Sequence, residues 1–303
     1  MNCLVIGYGS IGERHSTLLA SMGHSVFVVS HRDIRDYPRF DDIGSAFLNQ
    51  KFHYVIVSNK TYEHYNSLLE LINQRYKGLL LIEKPVFEKI REVKKYDYRN
   101  TYIGYNLRWH PIVREIINLT SKRKIYSMQA YVGQYLPEWR PNTNFKNCYS
   151  ASSLEGGGVL RDLSHELDYM RCIAGSWKRI ASIGGTYSEL GIESDDIYSL
   201  LMEMERCPIA SLQMNYLDRR SRREIIINLQ GMTIKADLIG NMLEVNRECK
   251  RYAVDRNQMY LDQHKAIIDS RSDKLCTFRE GLEIVHLIEK AENASREKVW
   301  KWV

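Results

Sequence analysis

The sequence predicts an α/β protein with two domains, the first built on a doubly wound parallel sheet and the second, an α+β domain, on an open and mainly antiparallel sheet. Three observations support this fold class. A short apolar strand runs directly into a G-x-G-x-x-G turn, strands and helices alternate over the first third of the chain, and strand-like segments follow one another after about residue 120. A chain of 303 residues is long enough for two cores, and we predict domains at 1–120 and 121–303.

The first strand ends in a turn that contains Gly7, Gly9 and Gly12. In this pattern the first glycine permits a tight turn, the second lets the main chain approach a pyrophosphate, and the third lets the following helix pack closely on the strand. The helix predicted over 13–22 directs the positive end of its dipole towards bound phosphates. The segment therefore indicates a Rossmann-type dinucleotide-binding domain; the alternative is a glycine-rich turn that binds nothing.

The end of the second predicted strand, 26–29, indicates which dinucleotide is bound. Enzymes that use NAD usually place an acidic residue there for the ribose 2′-hydroxyl, whereas this chain has Ser30, His31 and Arg32. A hydroxyl, an imidazole and a guanidinium suit a 2′-phosphate. We therefore predict that NADP(H) is favoured. NAD(H) is the alternative, since Asp33 follows directly and could bind the ribose.

The other elements follow from apolar periodicity and from turn residues. Strands of the first domain are also predicted over 4–6, 54–58, 79–82 and 101–105, with further helices over 63–75 and 87–95. The second domain is predicted to contain one prominent helix over 159–174 and a C-terminal helix over 278–293. Its predicted strands are 125–132, 180–187, 196–205, 209–216, 224–230, 232–236 and 241–246.

Composition argues against several classes of function. No apolar run approaches the roughly 20 residues that cross a bilayer, and the chain opens on a strand rather than a signal peptide, so we expect a cytoplasmic protein without a membrane partner. Six cysteines lack C-x-x-C spacing, and we predict neither a metal site nor disulfides. The net charge is +6, and the basic run 219–223 accompanies no nucleic-acid-binding motif. A solvated strand connection is favoured there over a contact to an anionic substrate.

Glu83, Lys84 and Pro85 follow the fourth predicted strand, at the sheet edge where ligands bind in open α/β folds. The proline restricts the backbone before it, so the lysine is held extended and directed outwards. An amine at this place can donate a hydrogen bond to a substrate oxygen and stabilise the alkoxide formed during hydride transfer. The alternative is a surface lysine paired with Glu83.

A second polar cluster lies on the helix predicted over 159–174, which follows three glycines at 156–158. Asp162, His165 and Glu166 share one face of this helix, and an apolar stripe occupies another. Histidine is the usual proton carrier near neutral pH, and a neighbouring carboxylate can select its tautomer. The glycines let the main chain approach a ligand. The alternative is a solvated acidic face. The stripe consists of Leu163, Leu167, Met170 and Ala174.

Together these motifs resemble the Gfo/Idh/MocA family, named for glucose-fructose oxidoreductase and inositol dehydrogenase, over essentially the whole chain. The likeness rests on the order and separation of six segments rather than on any one of them. They are the glycine turn, Ser58-Asn59 with His64, Glu83-Lys84-Pro85, the segment 104–111, the triple glycine, and the helix with Asp162, His165 and Asp168.

The resemblance implies roles for single residues. It assigns proton transfer to Lys84 and His165, and a supporting or substrate-binding role to Asp162. Two residues separate Asp162 from His165 where the family usually has three, and this rotates the carboxylate relative to the imidazole. The predicted cofactor-binding residues are Gly7, Gly9, Ser10, Ile11, Gly12, Ser30, His31, Arg32, Ser58, Asn59, His64, Glu83 and Lys84. The predicted substrate-binding residues are Asn106, Arg108, Trp139, Arg140, Asp162 and His165.

The segment 135–141 lies before the triple glycine and contains Trp139 beside Arg140. A tryptophan next to an arginine can stack on a sugar ring and bind an anionic group. The alternative, held equally, is a structured loop or a subunit contact. The segment is similar to that of family members associated with bacterial surface-sugar synthesis.

The sequence therefore predicts an NAD(P)-dependent oxidoreductase that transfers hydride between nicotinamide and a secondary alcohol or ketone of a sugar or sugar derivative. Two alternatives stay open. One is a family member that retains its cofactor and performs net non-redox sugar chemistry, and the other is a dinucleotide-binding regulator without catalysis. By analogy, the resemblance also implies a homodimer or homotetramer. We expect a small-molecule sugar partner and no nucleic acid.

Overall fold

The computed structural model describes residues 1–93, 96–139, 144–271 and 274–303. It contains two compact units: Met1–Asn106 with Arg256–Val285 form the first, and Leu107–Asp255 with His286–Val303 form the second. The predicted domains, 1–120 and 121–303, place two segments differently, 107–120 and 256–285. Periodicity along a chain carries no signal for a segment that rejoins an earlier core.

The strands, in chain order, are β1 (Asn2–Ile6), β2 (Ser25–Val29), β3 (Arg39–Phe40), β4 (Tyr54–Val57), β5 (Leu79–Ile82), β6 (Thr101–Ile103), β7 (Ile125–Gly133), β8 (Trp177–Gly185), β9 (Ile197–Met204), β10 (Ala210–Asn215), β11 (Arg222–Leu229), β12 (Met232–Asp237), β13 (Met242–Val245), β14 (Glu248–Arg251), β15 (Cys276–Thr277) and β16 (Lys301–Trp302). The α-helices are α1 (Ser10–Ser21), α2 (Ile43–Asn49), α3 (His64–Asn73), α4 (Pro111–Thr120), α5 (Val159–Asp162), α6 (His165–Ala174), α7 (Arg256–Ile268) and α8 (Phe278–Glu297). Each strand predicted from the sequence is present to within three residues at either end. Within the described ranges, no helix combines the length and the apolar character that crossing a lipid bilayer requires.

The first unit contains a seven-stranded sheet in the order β15-β6-β5-β4-β1-β2-β3. Its strands are parallel, except that β15 runs antiparallel to β6 at one edge. The central strands are mainly apolar, and Leu4, Val5, Val55 and Ile56 are fully buried. Strands of this kind occur where both faces of a parallel sheet are covered. The doubly wound parallel sheet predicted from the sequence is confirmed.

The helix predicted over 87–95 is wrong for residues 87–93, and residues 94 and 95 lie outside the described part. Phe87 is fully buried, and its ring packs edge-on against Tyr65 and Phe278. Val86 beside it is fully buried as well, whereas Ile90 is 48% exposed. These tertiary contacts override the local helical propensity.

The second unit contains a nine-stranded sheet in the order β14-β13-β12-β11-β7-β10-β9-β8-β16. Neighbouring strands are antiparallel, except that β7 and β10 are parallel, as expected for an open and mainly antiparallel sheet. Helices α5 and α6 pack against one face. The opposite face carries Ile183 and Leu201, which are 74% and 43% exposed.

The single helix predicted over 159–174 is wrong, because the chain forms two helices, α5 and α6, with a break at Leu163 and Ser164. At the break the main-chain hydrogen bonds shorten to a three-residue step, from Ser164 N to Arg161 O and from Glu166 N to Leu163 O. The predicted apolar stripe is confirmed as a buried face. Asp162 ends α5 and His165 begins α6, so the break lies between them.

Helix α6 is held on the sheet by a buried ion pair. Glu166 is completely buried, and its carboxylate lies 2.7 Å from the Nε of Arg223 on β11, a side chain that is 14% exposed. Arg222, the preceding residue on β11, points to the other face, pairs with Glu224 and is 47% exposed. Breaking a buried pair leaves an uncompensated charge, whereas an exposed pair contributes little.

We expect Arg223→Ala to lower the free energy of unfolding by about 3 to 5 kcal/mol, because Glu166 keeps a buried charge without its counter-ion. The matched control, Arg222→Ala, removes the neighbouring guanidinium and should cost at most about 1 kcal/mol. Urea unfolding monitored by circular dichroism measures both. Equal losses for the two variants would show that the Glu166 pair is not what anchors α6.

Candidate functional site

Five strands of the first unit end level with one another. The register places Ile6 between Val29 and Val57, Val57 beside Ile82, and Ile82 beside Ile103. The ladder continues by one residue, for example from Ser58 N to Ile6 O at 2.8 Å. The residues that follow the five strands are therefore gathered at one carboxyl edge: Gly7, Ser30, Ser58, Glu83 and Gly104. Ligands bind at this edge in open α/β sheets.

The glycine turn has the packing that a dinucleotide site needs. A Cβ on Gly12 would lie 2.0 Å from the carbonyl oxygen of Gly7, so the helix can approach the turn only without a side chain there. A Cβ on Gly9 would meet nothing within 4 Å, and the turn is open on that side. Helix α1 begins at Ser10 without a side-chain cap, and the amides of Ser10, Ile11 and Gly12 precede its first main-chain hydrogen bond, from Glu13 N to Gly9 O at 2.9 Å. This arrangement fits a pyrophosphate.

Ser58 ties the end of β4 to the glycine turn. Its hydroxyl lies within hydrogen-bond distance of two carbonyl oxygens, 3.2 Å from that of Ile6 and 3.0 Å from that of Gly7. Asn59, the next residue, donates its side-chain amide to Ser67 on α3 at 2.9 Å. The Asn59 main chain packs against the turn, since a Cβ on Gly7 would lie 2.5 Å from its nitrogen and Cα. Both predicted cofactor residues therefore also shape the turn that would hold a phosphate.

The side chain of Arg32 contacts the glycine turn. Its guanidinium Nη1 donates to the carbonyl oxygen of Tyr8 at 3.1 Å, and its amide donates to the Ser30 hydroxyl at 3.1 Å. His31 beside it is exposed. Arg39 on β3, which sequence reasoning missed, donates to the Ser30 carbonyl at 2.7 Å. Two guanidinium groups thus border the end of β2.

Asp33, the alternative partner for a ribose hydroxyl, lies in an exposed ion pair. Its carboxylate is 3.8 Å from the Nε of Arg35, and both side chains are more than four-fifths exposed. An exposed pair at this distance holds a carboxylate weakly. Asp33 is therefore held less firmly than Arg32 and Arg39, of which Arg39 also pairs with Asp41 at 2.7 Å.

Lys84 is half-buried and its main chain is held on both sides. Before it, the Glu83 carboxylate accepts the Lys84 amide at 3.3 Å. After it, the buried His64 lies 3.1 Å from the carbonyl of Pro85 through Nδ1 and 3.2 Å from that of Asn59 through Nε2. Burial lowers the pKa of His64. The Lys84–Pro85 peptide bond is cis. Contacts to Glu83 and His64 therefore hold the main chain on both sides of the predicted lysine.

In the second unit, Asp162 ends α5 as a buried carboxylate. It accepts a hydrogen bond of 2.6 Å from the hydroxyl of Tyr216, and burial, followed by this carboxylate, raises the pKa of that phenol well above its usual range. The ring of Trp139 packs edge-on against Tyr216 at 5.2 Å between centroids. His165 opens α6 and is half-buried. Trp139 and Asp162, predicted separately, are thus joined through Tyr216.

Arg108, a predicted substrate-binding residue, forms a buried ion pair with Asp168 of the same chain. Its guanidinium Nε and Nη2 donate to both oxygens of Asp168 on α6, with distances from 2.6 to 3.1 Å, and both side chains are buried. This fork positions the start of the second unit against α6. Asn106, two residues earlier, belongs to the first unit and is also buried.

The acidic face proposed as an alternative for this helix is not solvated. Asp162, Glu166 and Asp168 are each buried, and each carboxylate faces a hydroxyl or a guanidinium. Buried carboxylates persist when such partners compensate their desolvation. These helices therefore present the half-buried His165 rather than an acidic surface.

Two segments singled out in the sequence meet in the second unit. The guanidinium of Arg219, from the basic run, lies 3.6 Å from the centre of the Tyr135 ring. Leu136 donates its amide to the carbonyl of Tyr216 at 3.1 Å, so the segment that contains Trp139 runs along the end of β10. Arg140 lies outside the described residues. Arg222 and Arg223 belong to β11 rather than to a strand connection.

Sequence reasoning missed four residues that organise these sites: Tyr216, Arg39, His15 and His264. Tyr216 gave a weak signal, a tyrosine just past a strand, but its partner Asp162 is 54 residues away. His15 gave a clearer one, since it lies on the buried side of α1. A polar side chain on a helix face that packs inward needs a partner, and the sequence does not say which.

Asp195 caps the short helix α5. Its side-chain oxygen accepts the Leu160 amide at 3.1 Å, and its main-chain oxygen accepts that of Val159 at 3.0 Å. Burial raises the pKa of Asp195 to about 6, although the Leu160 amide and Arg161 oppose the shift. The folded protein therefore holds this proton more tightly than the unfolded chain.

Because the folded pKa is raised, the contribution of Asp195 to stability is complete at low pH and declines as the pH rises from its ordinary pKa of 3.8 to about 6. We expect Asp195→Asn, which cannot ionise, to gain up to about 3 kcal/mol relative to the wild type as the pH rises through that interval, since each pKa unit corresponds to about 1.4 kcal/mol. Thermal unfolding at several pH values measures the difference. Asp33→Asn, at an exposed site, is the control, and identical pH curves for wild type and Asp195→Asn would contradict the assignment.

No protein-family model matches the chain, and no curated protein matches its sequence. Solved structures do match. A levoglucosan dehydrogenase in complex with NADH has a TM-score of 0.85 at 14% identity, covering 100% of this chain and 99% of that one. GenD2 from gentamicin A biosynthesis, in complex with NAD, has a TM-score of 0.79 at 16% identity, covering 100% and 96%. A myo-inositol dehydrogenase from Corynebacterium glutamicum has a TM-score of 0.78 at 13% identity, covering 100% and 98%.

This chain shares their fold. The likeness extends over both units, so the fold class predicted from the sequence is confirmed across the whole chain. Inositol dehydrogenase is one of the proteins for which the resembled family is named, and the structural likeness therefore agrees with the resemblance carried by the motifs. At these identities the likeness is one of fold, and the chemistry has to be argued from the residues of this chain.

Proposed function

We propose that this protein is an oxidoreductase that transfers hydride between a nicotinamide dinucleotide and a secondary alcohol or ketone of a sugar or sugar derivative. The observation that carries the proposal is the level edge of the first sheet. Gly7, Ser30, Ser58 and Glu83 stand side by side there, next to an open glycine turn and a positioned lysine. Phosphate-binding amides and a candidate acid therefore occur on one rigid edge.

The residues present fit a dinucleotide. The first-turn amides of α1 and the open space at Gly9 would hold its pyrophosphate, and Arg32 with Ser30 would bind the ribose end. When bound, the nicotinamide would accept or supply the hydride. Support for NADP(H) comes from this chain alone, because the levoglucosan dehydrogenase and GenD2 structures contain NADH and NAD. NAD(H) is the alternative outcome.

Lys84 and His165 would assist the transfer of the substrate hydroxyl proton. The Lys84 ammonium would donate a hydrogen bond to the substrate oxygen and stabilise negative charge on it during reaction. His165 would take the hydroxyl proton during oxidation and return it during reduction. Asp162, held by Tyr216, would support His165 or bind a substrate hydroxyl. Trp139 would offer a face to a sugar ring.

The substrate class follows from the same residues together with the compared structures. One levoglucosan dehydrogenase structure contains NADH and L-sorbose and another contains NADH and levoglucosan, which makes sugars the first compounds to test. A role in bacterial surface-sugar synthesis rests on the segment 135–141 alone. The homodimer or homotetramer stays a proposal, for which the exposed Ile183 and Leu201 supply an apolar face.

A thermal-shift screen followed by turnover tests this function. NADP(H) and NAD(H) are screened with free, phosphorylated and nucleotide-linked sugars, because a ligand that binds the native state raises the unfolding temperature. Net change in the absorbance of reduced nicotinamide with a sugar alcohol or ketone supports the proposal. Product without net change indicates non-redox chemistry with a retained cofactor, and binding without turnover indicates a regulator.

We expect Lys84→Ala and His165→Ala to abolish most turnover while cofactor binding changes little, since neither side chain is placed at the pyrophosphate. A positioned acid or base supplies about 100- to 10,000-fold in rate, so kcat for His165→Ala should fall at least about 100-fold. Steady-state kinetics with cofactor titration measure both effects. A near-normal kcat in either variant would show that the residue is structural.

We expect Arg32→Ala to weaken NADPH binding by about 10- to 100-fold and NADH binding little, since only NADPH carries the 2′-phosphate. Arg35→Ala is the matched control, because Arg35 is a neighbouring exposed guanidinium paired with Asp33. Fluorescence titration of the two reduced cofactors distinguishes the outcomes. Equal losses for both cofactors, or a wild type that prefers NADH, would overturn the NADP(H) preference.

A further inference from the structure

A chain of hydrogen bonds runs through the core of the first unit and ends at the segment that carries Lys84. The Tyr54 hydroxyl lies 3.0 Å from His264 Nδ1, His264 Nε2 lies 2.9 Å from His15 Nδ1, and His15 Nε2 lies 3.0 Å from an oxygen of Glu83. Tyr54, His264 and His15 are fully buried. The four groups come from β4, α7, α1 and the end of β5.

With both imidazoles neutral, the acceptors and donors allow one arrangement of protons. The Glu83 carboxylate accepts only, so His15 must donate through Nε2, and its Nδ1 must then accept. His264 therefore donates through Nε2 and accepts at Nδ1 from the Tyr54 hydroxyl. Burial and the neighbouring His15 lower the pKa of His264 well below its usual range, which favours the neutral ring. Every member of the chain donates in the direction of Glu83.

The carboxylate at the end of this chain is fixed from several sides. One oxygen of Glu83 meets His15, and the other accepts the main-chain amide of Lys84 at 3.3 Å. The same carboxylate lies against the main chain of Gly104, where a Cβ would come within 2.5 Å of it. The ring of Tyr260 on α7 packs edge-on against His15 at 5.6 Å. A side chain held in this way has little freedom to move.

We propose that His15, oriented by His264 and Tyr54, is a positioning residue that fixes the Glu83 carboxylate and, through it, the main chain of Lys84. The inference rests on the proposed function only in giving Lys84 a part in hydride transfer. Segment 256–285 belongs to the first unit, and its helix α7 supplies His264 to the hydrogen-bonded chain. Displacing a reacting group by about 1 Å can cost on the order of 100-fold in rate.

Two substitutions of His15 separate positioning from packing. Glutamine places an amide near the imidazole Nε2 and can still donate to Glu83, whereas asparagine places one near Nδ1 and reaches only towards His264. Both remove the ring and should lower stability similarly. We expect kcat for His15→Asn to fall by about 10- to 100-fold with little change in the KM for cofactor, and kcat for His15→Gln to stay within about threefold.

Gly104→Ala provides an independent variant, because the three atoms nearest its methyl group all belong to the Glu83 carboxylate. It should reproduce the kcat loss of His15→Asn. Kinetics and thermal unfolding are measured together on each variant. Equal kcat losses for His15→Asn and His15→Gln, or losses that merely follow stability, would overturn the positioning role.

A measurement on the wild type does not depend on activity. Nitrogen-15 spectra of the histidine rings identify which ring nitrogen carries the proton. We expect His15 and His264 both to be protonated at Nε2 alone. A proton on His264 Nδ1 would contradict this arrangement of hydrogen bonds even if the enzyme were active. If the wild type instead shows these tautomers but turns over no alcohol, the proposed function fails while the hydrogen-bonded chain stands.

Discussion

The parallel register of β2, β1, β4, β5 and β6 is the constraint on which the candidate site depends. Hydrogen bonds between these strands bring their last residues level, so the residues that follow meet at one edge. A slip of one residue would turn buried apolar side chains to the opposite face and would also separate Gly7 from Ser58. Burial on both faces makes such a slip costly. The same apolar packing that stabilises the sheet therefore aligns the groups proposed to bind a dinucleotide.

Buried polar pairs fix the parts that packing alone would leave free to rotate. Arg108 with Asp168, and Glu166 with Arg223, set the position of α6 within the second unit. Such pairs add little net stability compared with apolar contacts, yet breaking one is expensive. Their main effect is therefore to select one position of the helix rather than to increase the stability of the fold. In the first unit, the chain from Tyr54 to Glu83 acts in the same way on the segment that carries Lys84.

Local patterns predicted most of the fold. Twelve strands were found because alternation, apolar runs and turn residues are local signals. The two-residue strands β3, β15 and β16 and the exposed β14 were not predicted, since they carry no such signal. The helix predicted over 87–95 failed because Phe87 finds aromatic partners in α3 and α8, which local propensity does not register. The helix predicted over 159–174 failed because a break at Leu163 has no marker such as proline or glycine. In both cases the apolar periodicity was read correctly, but a tertiary contact or the local backbone geometry overrode it.

The sequence by itself determined the glycine turn and the succession of most strands along the chain. It also determined the residue types available to bind phosphate, transfer a proton and contact a sugar, because each of these depends on a few neighbouring positions. Only the tertiary structure decided which of those residues meet. His15 and His264 are 249 positions apart, and Arg108 and Asp168 are 60 apart. A buried polar side chain must find a partner, but its identity depends on which distant segment folds against it, and that is decided by packing of the whole unit.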